Sequence, residues 1–364
     1  MRKPSPGRKT GSKPLLVAVW GLETGDYGYF DVFYPACRVR EACERAGVSS
    51  RFVFPRDLPP LLDGGKLNPE TTAFLIRGSA GPDAAASIEA AGFRAVNASR
   101  PLALALDKLE TARFLERHGW QTPRTVACGP GISGPGISGP NASGVNANRA
   151  NETRPIPFPA VLKPRFGSRG RGVTLVEDDG ALNMALGAAL SAALGAAFSR
   201  ASSPEGLVLQ EYVRSSRGRD VRFFFAGGRV LAVAERIAPQ GELVSNASRG
   251  GVLRVPPWTT GARGKAELER WSALTLEIAR ESGLQYGSVD YLYAGVETGE
   301  ESRDGSAPGT DAPEAGLSLT VCEINGSPGF EALERELGID VAGPLVASIV
   351  SSLGWRDPAR PDGN

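Results

Sequence analysis

The chain has a single histidine, His118, and only four scattered cysteines, Cys37, Cys43, Cys128 and Cys322, with no Cys-x-x-Cys pair. That scarcity argues against Cys/His zinc sites and against Ser–His or Cys–His nucleophilic pairs. It also leaves no disulfide framework, and reduced thiols fit a cytoplasmic compartment. Long apolar runs are missing too. Basic residues 1–13 before the apolar stretch 15–20 imitate a secretory signal, but the stretch is short, has no small-residue cleavage pattern and soon meets Glu23. In residues 181–198, Leu182, Leu186, Leu190, Leu194 and Phe198 recur every four positions, with Asn183 and Ser191 between them. This is one face of an amphipathic helix, not a membrane span. Neither charge sign dominates: 41 basic residues stand against 40 acidic ones, so no nucleic acid and no membrane is implied as partner.

What is present is a chain of 364 residues, enough for two or three domains. After a tail at 1–13 expected to be disordered, strands are expected at 15–20, 51–54 and 73–77, and helices at 35–46 and 83–91. This alternation predicts a parallel α/β layer over 14–100, with its ligand edge at the loops 21–30 and 77–82. A central unit is expected over 101–205, opening on a helix at 107–118, and a C-terminal unit over 206–355. Two stretches read as insertions: the Gly/Pro/Ser/Asn-rich repeat 129–157 and the Gly/Glu/Asp-rich loop 297–316. Asn97, Asn141, Asn151 and Asn246 match the N-glycosylation pattern, which is taken as chance without a convincing signal peptide.

Three motifs carry chemistry. In the first, residues 159–176, an apolar strand holds Lys163 and is followed by a loop with Gly167, Gly170 and Gly172, then by a second strand. Glycines let backbone amides approach an anion, and Ser168, Arg169 and Arg171 add donors. A plain hairpin with a glycine turn fits the same pattern. The second motif is a strand ending in Glu211-Tyr212-Val213, followed by a strand that starts at Asp220. The extended segment offers an adenine a backbone donor and acceptor, and Asp220 offers a ribose hydroxyl an acceptor; two strands joined by a charged turn account for it equally. The third sets Asp290, Glu323 and Asn325 within apolar strands, the last two on one strand face. Hard oxygen donors of this kind suit Mg²⁺ or Mn²⁺. The alternative is an acid salt-bridged to an arginine across the sheet.

Together with Asp107-Lys108-Leu109, Gly218-Arg219-Asp220 and residues 245–251, these motifs occur in an order that resembles the ATP-grasp superfamily, its RimK-type alpha-L-glutamate ligase group above all. The resemblance runs from about residue 15 to 353. It implies an α/β (α+β) architecture: an N-terminal Rossmann-like pre-ATP-grasp domain followed by the two-lobed ATP-grasp fold. It also implies ATP with two Mg²⁺ or Mn²⁺ ions. By position, Lys108 and Lys163 match the lysines that hold the nucleotide phosphates, and Gly167, Ser168, Arg169 and Gly170 match the loop over them. Glu211, Tyr212 and Val213 match the adenine hinge, Asp220 the ribose ligand, and Asp290, Glu323 and Asn325 the metal ligands. Arg222, Arg236, Asn246 and Arg249 match the phosphate and acyl-phosphate region, and Arg77 matches an arginine facing the acceptor.

The implied reaction joins a carboxylate, on a small molecule or peptide, to the amine of glutamate or a similar amino acid through an acyl phosphate. It releases ADP and phosphate. A thiol or D-amino-acid nucleophile, or a nucleotide-binding module without turnover, are the competing readings. The arginine-heavy phosphate loop and the insertion before Lys163 depart from the family pattern, and both bear on substrate choice. Nothing in the sequence excludes a homo-oligomer.

Overall fold

The computed structural model describes residues 13–21, 27–128, 156–167, 170–195, 206–243, 245, 250–295 and 317–354. The chain begins with β1 (Leu15–Gly21), α1 (Tyr29–Val32), α2 (Tyr34–Arg45), β2 (Ser49–Val53), α3 (Leu58–Asp63), β3 (Thr72–Gly78), α4 (Gly81–Ala90) and β4 (Arg94–Val96). The four strands form a parallel sheet in the order β2-β1-β3-β4. The near-continuous apolar runs of β1 and β3 suit this, because helices cover both faces of such a sheet. Buried Val17, Val19, Phe74 and Ile76 face α4, while Leu16, Ala73 and Leu75 join a core that reaches the C-terminal helices.

Two helices, α5 (Ser99–Leu106) and α6 (Lys108–Arg117), lead into β5 (Thr125–Cys128), β6 (Ala160–Pro164), β7 (Thr174–Val176), α7 (Asp179–Gly195) and β8 (Leu207–Glu211). These strands make an antiparallel sheet ordered β5-β8-β6-β7. Here the expected boundary at 205/206 is corrected. β8 lies between β5 and β6, so the central lobe extends through Glu211. A boundary drawn along the chain cannot register pairing between strands separated by an insertion. Ile156 is buried at 7% exposure in the core of this lobe, so packed structure resumes before the expected end of the insertion at 157. The rest of the insertion, the segment 297–316 and the tail 1–12 lie outside the described residues.

The last lobe comprises β9 (Arg219–Ala226), β10 (Arg229–Ile237), β11 (Val252–Arg254), α8 (Gly261–Ser282), β12 (Tyr286–Tyr293), β13 (Leu319–Asn325), α9 (Glu331–Leu337) and α10 (Ala342–Ser352). Its antiparallel sheet has the order β11-β10-β9-β12-β13. One face buries Val221, Phe223, Phe225, Val289 and Tyr291 against α8. Phe114 and Leu115 of α6 join that same core, so α6 packs with the C-terminal lobe despite its place in the chain. No helix among the described residues is long and apolar enough to cross a membrane.

Candidate nucleotide and metal site

A pocket opens between the antiparallel sheets of the two lobes. Its basic side is built from chain ends held in place by an ion pair. Asp107 caps α6, accepting from the amides of Leu109 (3.0 Å) and Glu110 (3.2 Å). The same carboxylate takes Arg165 Nε at 2.8 Å and Nη2 at 2.7 Å. The two-pronged pair ties the start of α6 to the end of β6, so Lys108 and Lys163 line one pocket although 55 positions separate them. Lys108 Nζ donates to the Gly167 carbonyl at 2.8 Å, and burial pulls its ammonium below its ordinary value. Lys163, 5% exposed, donates to Gln210 Oε1 at 2.8 Å.

The hinge side follows from the end of β8. The Glu211 amide pairs with the Arg124 carbonyl at 2.9 Å, after which Tyr212 and Val213 leave the sheet and line the pocket with Val161 and Leu292. This gives an extended backbone beside an apolar wall, the chemistry a planar heterocycle needs. Gly167 and Gly170 line the mouth, as does Arg171; Ser168, Arg169, Asn246 and Arg249 lie outside the described residues.

The acidic side belongs to a row across the five-stranded sheet, of which Asp220, Arg236 and Glu323 line the pocket while Arg222, Asp290 and Asn325 are not among its lining residues. Alternation on β9 sends Asp220 and Arg222 to one face, and cross-strand register sets Arg236 of β10 opposite Asp220 and Asp290 of β12 opposite Arg222. Arg222 grips Asp290 with two bonds, 2.8 and 2.6 Å, and Arg236 Nη2 adds a third at 2.7 Å. Arg236 also holds Asp220 through bonds of 2.6 and 2.7 Å, and the Ser245 hydroxyl donates to Asp220 at 2.9 Å. Burial would raise the Asp290 carboxyl, but the two guanidinium groups outweigh it and hold it well below the usual carboxylate range. The salt bridge across the sheet, the bland alternative for the third motif, is therefore real at Asp290.

Glu323 behaves differently. Among the described residues it makes no ion pair, and its one hydrogen bond comes from Asn325 Nδ2 at 3.3 Å; the same nitrogen lies 3.2 Å from Asp290 Oδ2. Rotating that amide by half a turn would bring an oxygen to this point. A bulge between Asp290 and Tyr291 sets Asp290 opposite Glu323 but Tyr291 opposite Val321, so Cys322 and Glu323, consecutive in sequence, both line the pocket. Burial pushes the Cys322 thiol up to about 12. Close approach of the two strands requires Gly287, where a Cβ would fall 2.6 Å from the Asn325 carbonyl oxygen. An unpaired carboxylate, an adjacent amide and a second carboxylate fit a hard divalent cation, with Asp290 reached only by displacing arginine.

Arg77 is not brought to this pocket. It sits 3% exposed at the C-terminal end of β3, its guanidinium carbon 5.4 Å from the Trp20 ring centre, 5.8 Å from Tyr286 and 5.0 Å from Phe330. Its Nε and Nη1 are buried without a hydrogen-bond partner.

Three residues went unread in the sequence. Gln210 enters the sequence reading only as the first residue of the stretch that resembles the family at Gln210-Glu211-Tyr212-Val213, with no role of its own, and Thr125, its partner, does not enter it. Asn97, 0% exposed, donates to the carbonyls of Tyr286 (2.8 Å) and Gly326 (2.7 Å) and accepts from the amides of Gln285 (2.8 Å) and Tyr286 (3.2 Å). It clasps the start of β12 and the end of β13. Only its glycosylation pattern was legible, and full burial removes it from any such role in the folded chain.

A RimK-like ATP-grasp domain model matches residues 105–295, just over half the chain. The chain is 29% identical over 198 residues to a probable alpha-L-glutamate ligase of Shewanella halifaxensis, an alignment covering 54% of this chain and 34% of that protein. It is 29% identical over 267 residues to a ribosomal protein bS6–L-glutamate ligase of Escherichia fergusonii, covering 73% of this chain and 70% of the relative. With two further relatives it spans 46% and 52% of their length, so it corresponds to about a third to a half of several proteins it resembles. Among solved structures, D-alanine–D-alanine ligase from Bacillus anthracis superposes with a TM-score of 0.60 at 16% identity, covering 94% of this chain and 97% of that one. That likeness gives the fold. With the pocket between two antiparallel lobes and a matching domain over 105–295, the chain belongs to the RimK-like ATP-grasp family.

Proposed function

We propose that this chain is an ATP-dependent carboxylate–amine ligase that adds glutamate or a similar amino acid to an acceptor. The observation that carries the reading is a pocket with a buried lysine, Lys163, and a half-buried one, Lys108, on one wall and an unpaired glutamate on the other. The names of the glutamate-ligating relatives support the choice of amino acid. In this reading Glu211, Tyr212 and Val213 hold the adenine and Asp220 the ribose. Lys108 and Lys163 neutralise the phosphates. Glu323, Asn325 and Asp290 would hold Mg²⁺ or Mn²⁺, which supplies charge neutralisation between the phosphates and the attacking carboxylate.

The acceptor carboxylate attacks the γ-phosphorus, ADP leaves, and an acyl phosphate forms. The amine then attacks the acyl carbon, phosphate departs with the bonding pair, and the amine proton passes to solvent or phosphate. Arg222 and Arg236, with Arg249 and Asn246, stabilise charge on the transferring group, and the walls exclude water from an intermediate that would otherwise hydrolyse. Arg77 anchors the acceptor: a buried guanidinium with two unpaired donors is costly, and a ligand carboxylate would satisfy it.

ADP release measured with ATP, Mg²⁺ and a panel of amino acids and carboxylate acceptors tests this reading. The expected result is ADP formed in step with an amide product. ATP binding without ADP release across the panel would leave a binding module instead. With an active pair in hand, Arg77→Met should raise KM for the acceptor about tenfold while KM for ATP stays constant. Equal effects on both would remove Arg77 from the acceptor site.

A further inference from the structure

Gln210 opens the stretch Gln210-Glu211-Tyr212-Val213 and ties Lys163 of β6 to Thr125 of β5 within one sheet. Its Oε1 accepts from Lys163 Nζ at 2.8 Å, and its Nε2 donates to Thr125 Oγ1 at 2.8 Å. Thr125 Oγ1 donates in turn to the Pro123 carbonyl at 2.9 Å. Lys163, Gln210 and Thr125 are 5%, 5% and 7% exposed. The direction of this chain is fixed from one end. An ammonium only donates, so the Gln210 oxygen must face Lys163 and its nitrogen must face Thr125. The threonine hydroxyl, occupied as an acceptor, then donates onward to a carbonyl. Each side chain therefore has one orientation, and Lys163 is held by a support that cannot turn.

The support is also neutral. Lys163 makes no ion pair among the described residues, although a buried ammonium usually takes a carboxylate partner. Lys108, on the same wall, is likewise held by a neutral oxygen, the carbonyl of Gly167. A carboxylate in place of the Gln210 amide would satisfy Lys163 better in the empty pocket, and would cancel the charge a polyanionic ligand must find there. We propose that Gln210 is a positioning residue that aims Lys163 at the nucleotide phosphates while leaving its charge uncompensated. This rests on the reading of Lys163 as a phosphate ligand.

The test is titration calorimetry of the full chain with Mg²⁺–ATP, and with adenosine by competition. Lys163→Met comes first. If it leaves ATP affinity intact, the parent reading of Lys163 fails whatever Gln210 does. With ATP affinity lost in Lys163→Met, Gln210→Glu should lose about tenfold or more in ATP affinity, the range of a charge-assisted contact. Its adenosine affinity should stay within about twofold of wild type, since the hinge is untouched. Gln210→Met, which removes the support without adding charge, should lose less ATP affinity than Gln210→Glu. Wild-type ATP affinity in Gln210→Glu, or equal losses for ATP and adenosine, would overturn the proposal. Should Gln210→Glu not fold, Gln210→Met decides: unchanged ATP affinity there, beside a weakened Lys163→Met, overturns it as well.

Discussion

Glu323→Gln is expected to slow ADP release by at least about a hundredfold and to leave the melting temperature near that of wild type, whereas Asp290→Asn should lose activity and stability together. The difference follows from their partners. Glu323 is only partly buried and touches no cation among the described residues, so a neutral isostere costs the fold little. Asp290, 1% exposed, neutralises two guanidinium groups. An asparagine there leaves Arg222 with no other partner among the described residues and Arg236 with Asp220 alone. Breaking a buried pair from one side costs about 3–5 kcal/mol. For a unit of this size that is a fall of roughly 6 °C or more in melting temperature. Thermal melts of both variants beside ADP-release assays over a Mg²⁺ series make the comparison. A Glu323→Gln enzyme with wild-type turnover at limiting Mg²⁺ would remove Glu323 from the metal. An Asp290→Asn protein as stable as wild type would mean that the arginines have alternative partners.

Asn97→Ala should be the most damaging substitution outside the pocket. Four backbone groups from two separated segments depend on one side chain, and three of those bonds are buried, the one from the Gln285 amide being part-buried. A stranded buried polar group costs about 1–3 kcal/mol, so a loss of about 3 kcal/mol or more is expected even if some groups find new partners. Chemical denaturation measures this directly. Asn97→Asp, which keeps the acceptor but sets a carboxylate oxygen against the carbonyls of Tyr286 and Gly326, should cost at least as much as alanine. A midpoint unchanged in the alanine variant would show that the joint between the N-terminal sheet and β12 is held by apolar packing alone.

The charged residues around the pocket were largely legible in the sequence, and their partners were not. Apolar strands interrupted by Asp290, Glu323 and Lys163 stand out because a charged residue in such a run demands a reason. Asp107 was legible as part of a motif, but its grip on Arg165 depends on β6 lying beside the start of α6, which no local pattern encodes. The Arg222–Asp290 pair depends on β9 lying next to β12, a neighbour 68 residues away. Sequence reading proposed an acid bound either to metal or to arginine across the sheet; the fold realises the second for Asp290 and leaves Glu323 open to the first. Gln210 and Asn97 escaped notice for a common reason. Neutral amides carry no charge signal, and their importance lies in satisfying buried groups that become buried only once distant segments meet.

The bulge at Cys322 bears on how this chain tolerates change. The connection from Tyr293 to Leu319 enters the β12–β13 pair at the end away from Ser288 and Asn325. Between that end and the carboxylates stands a point where the ladder already carries one surplus residue. A shift in register caused by lengthening or shortening the connection can be absorbed there, as slack is taken up at a joint, before it reaches Asp290 and Glu323. The strand pair thus separates a stretch free to drift in length from the stretch that carries Glu323 into the pocket, and a long connection can accumulate beside that pocket.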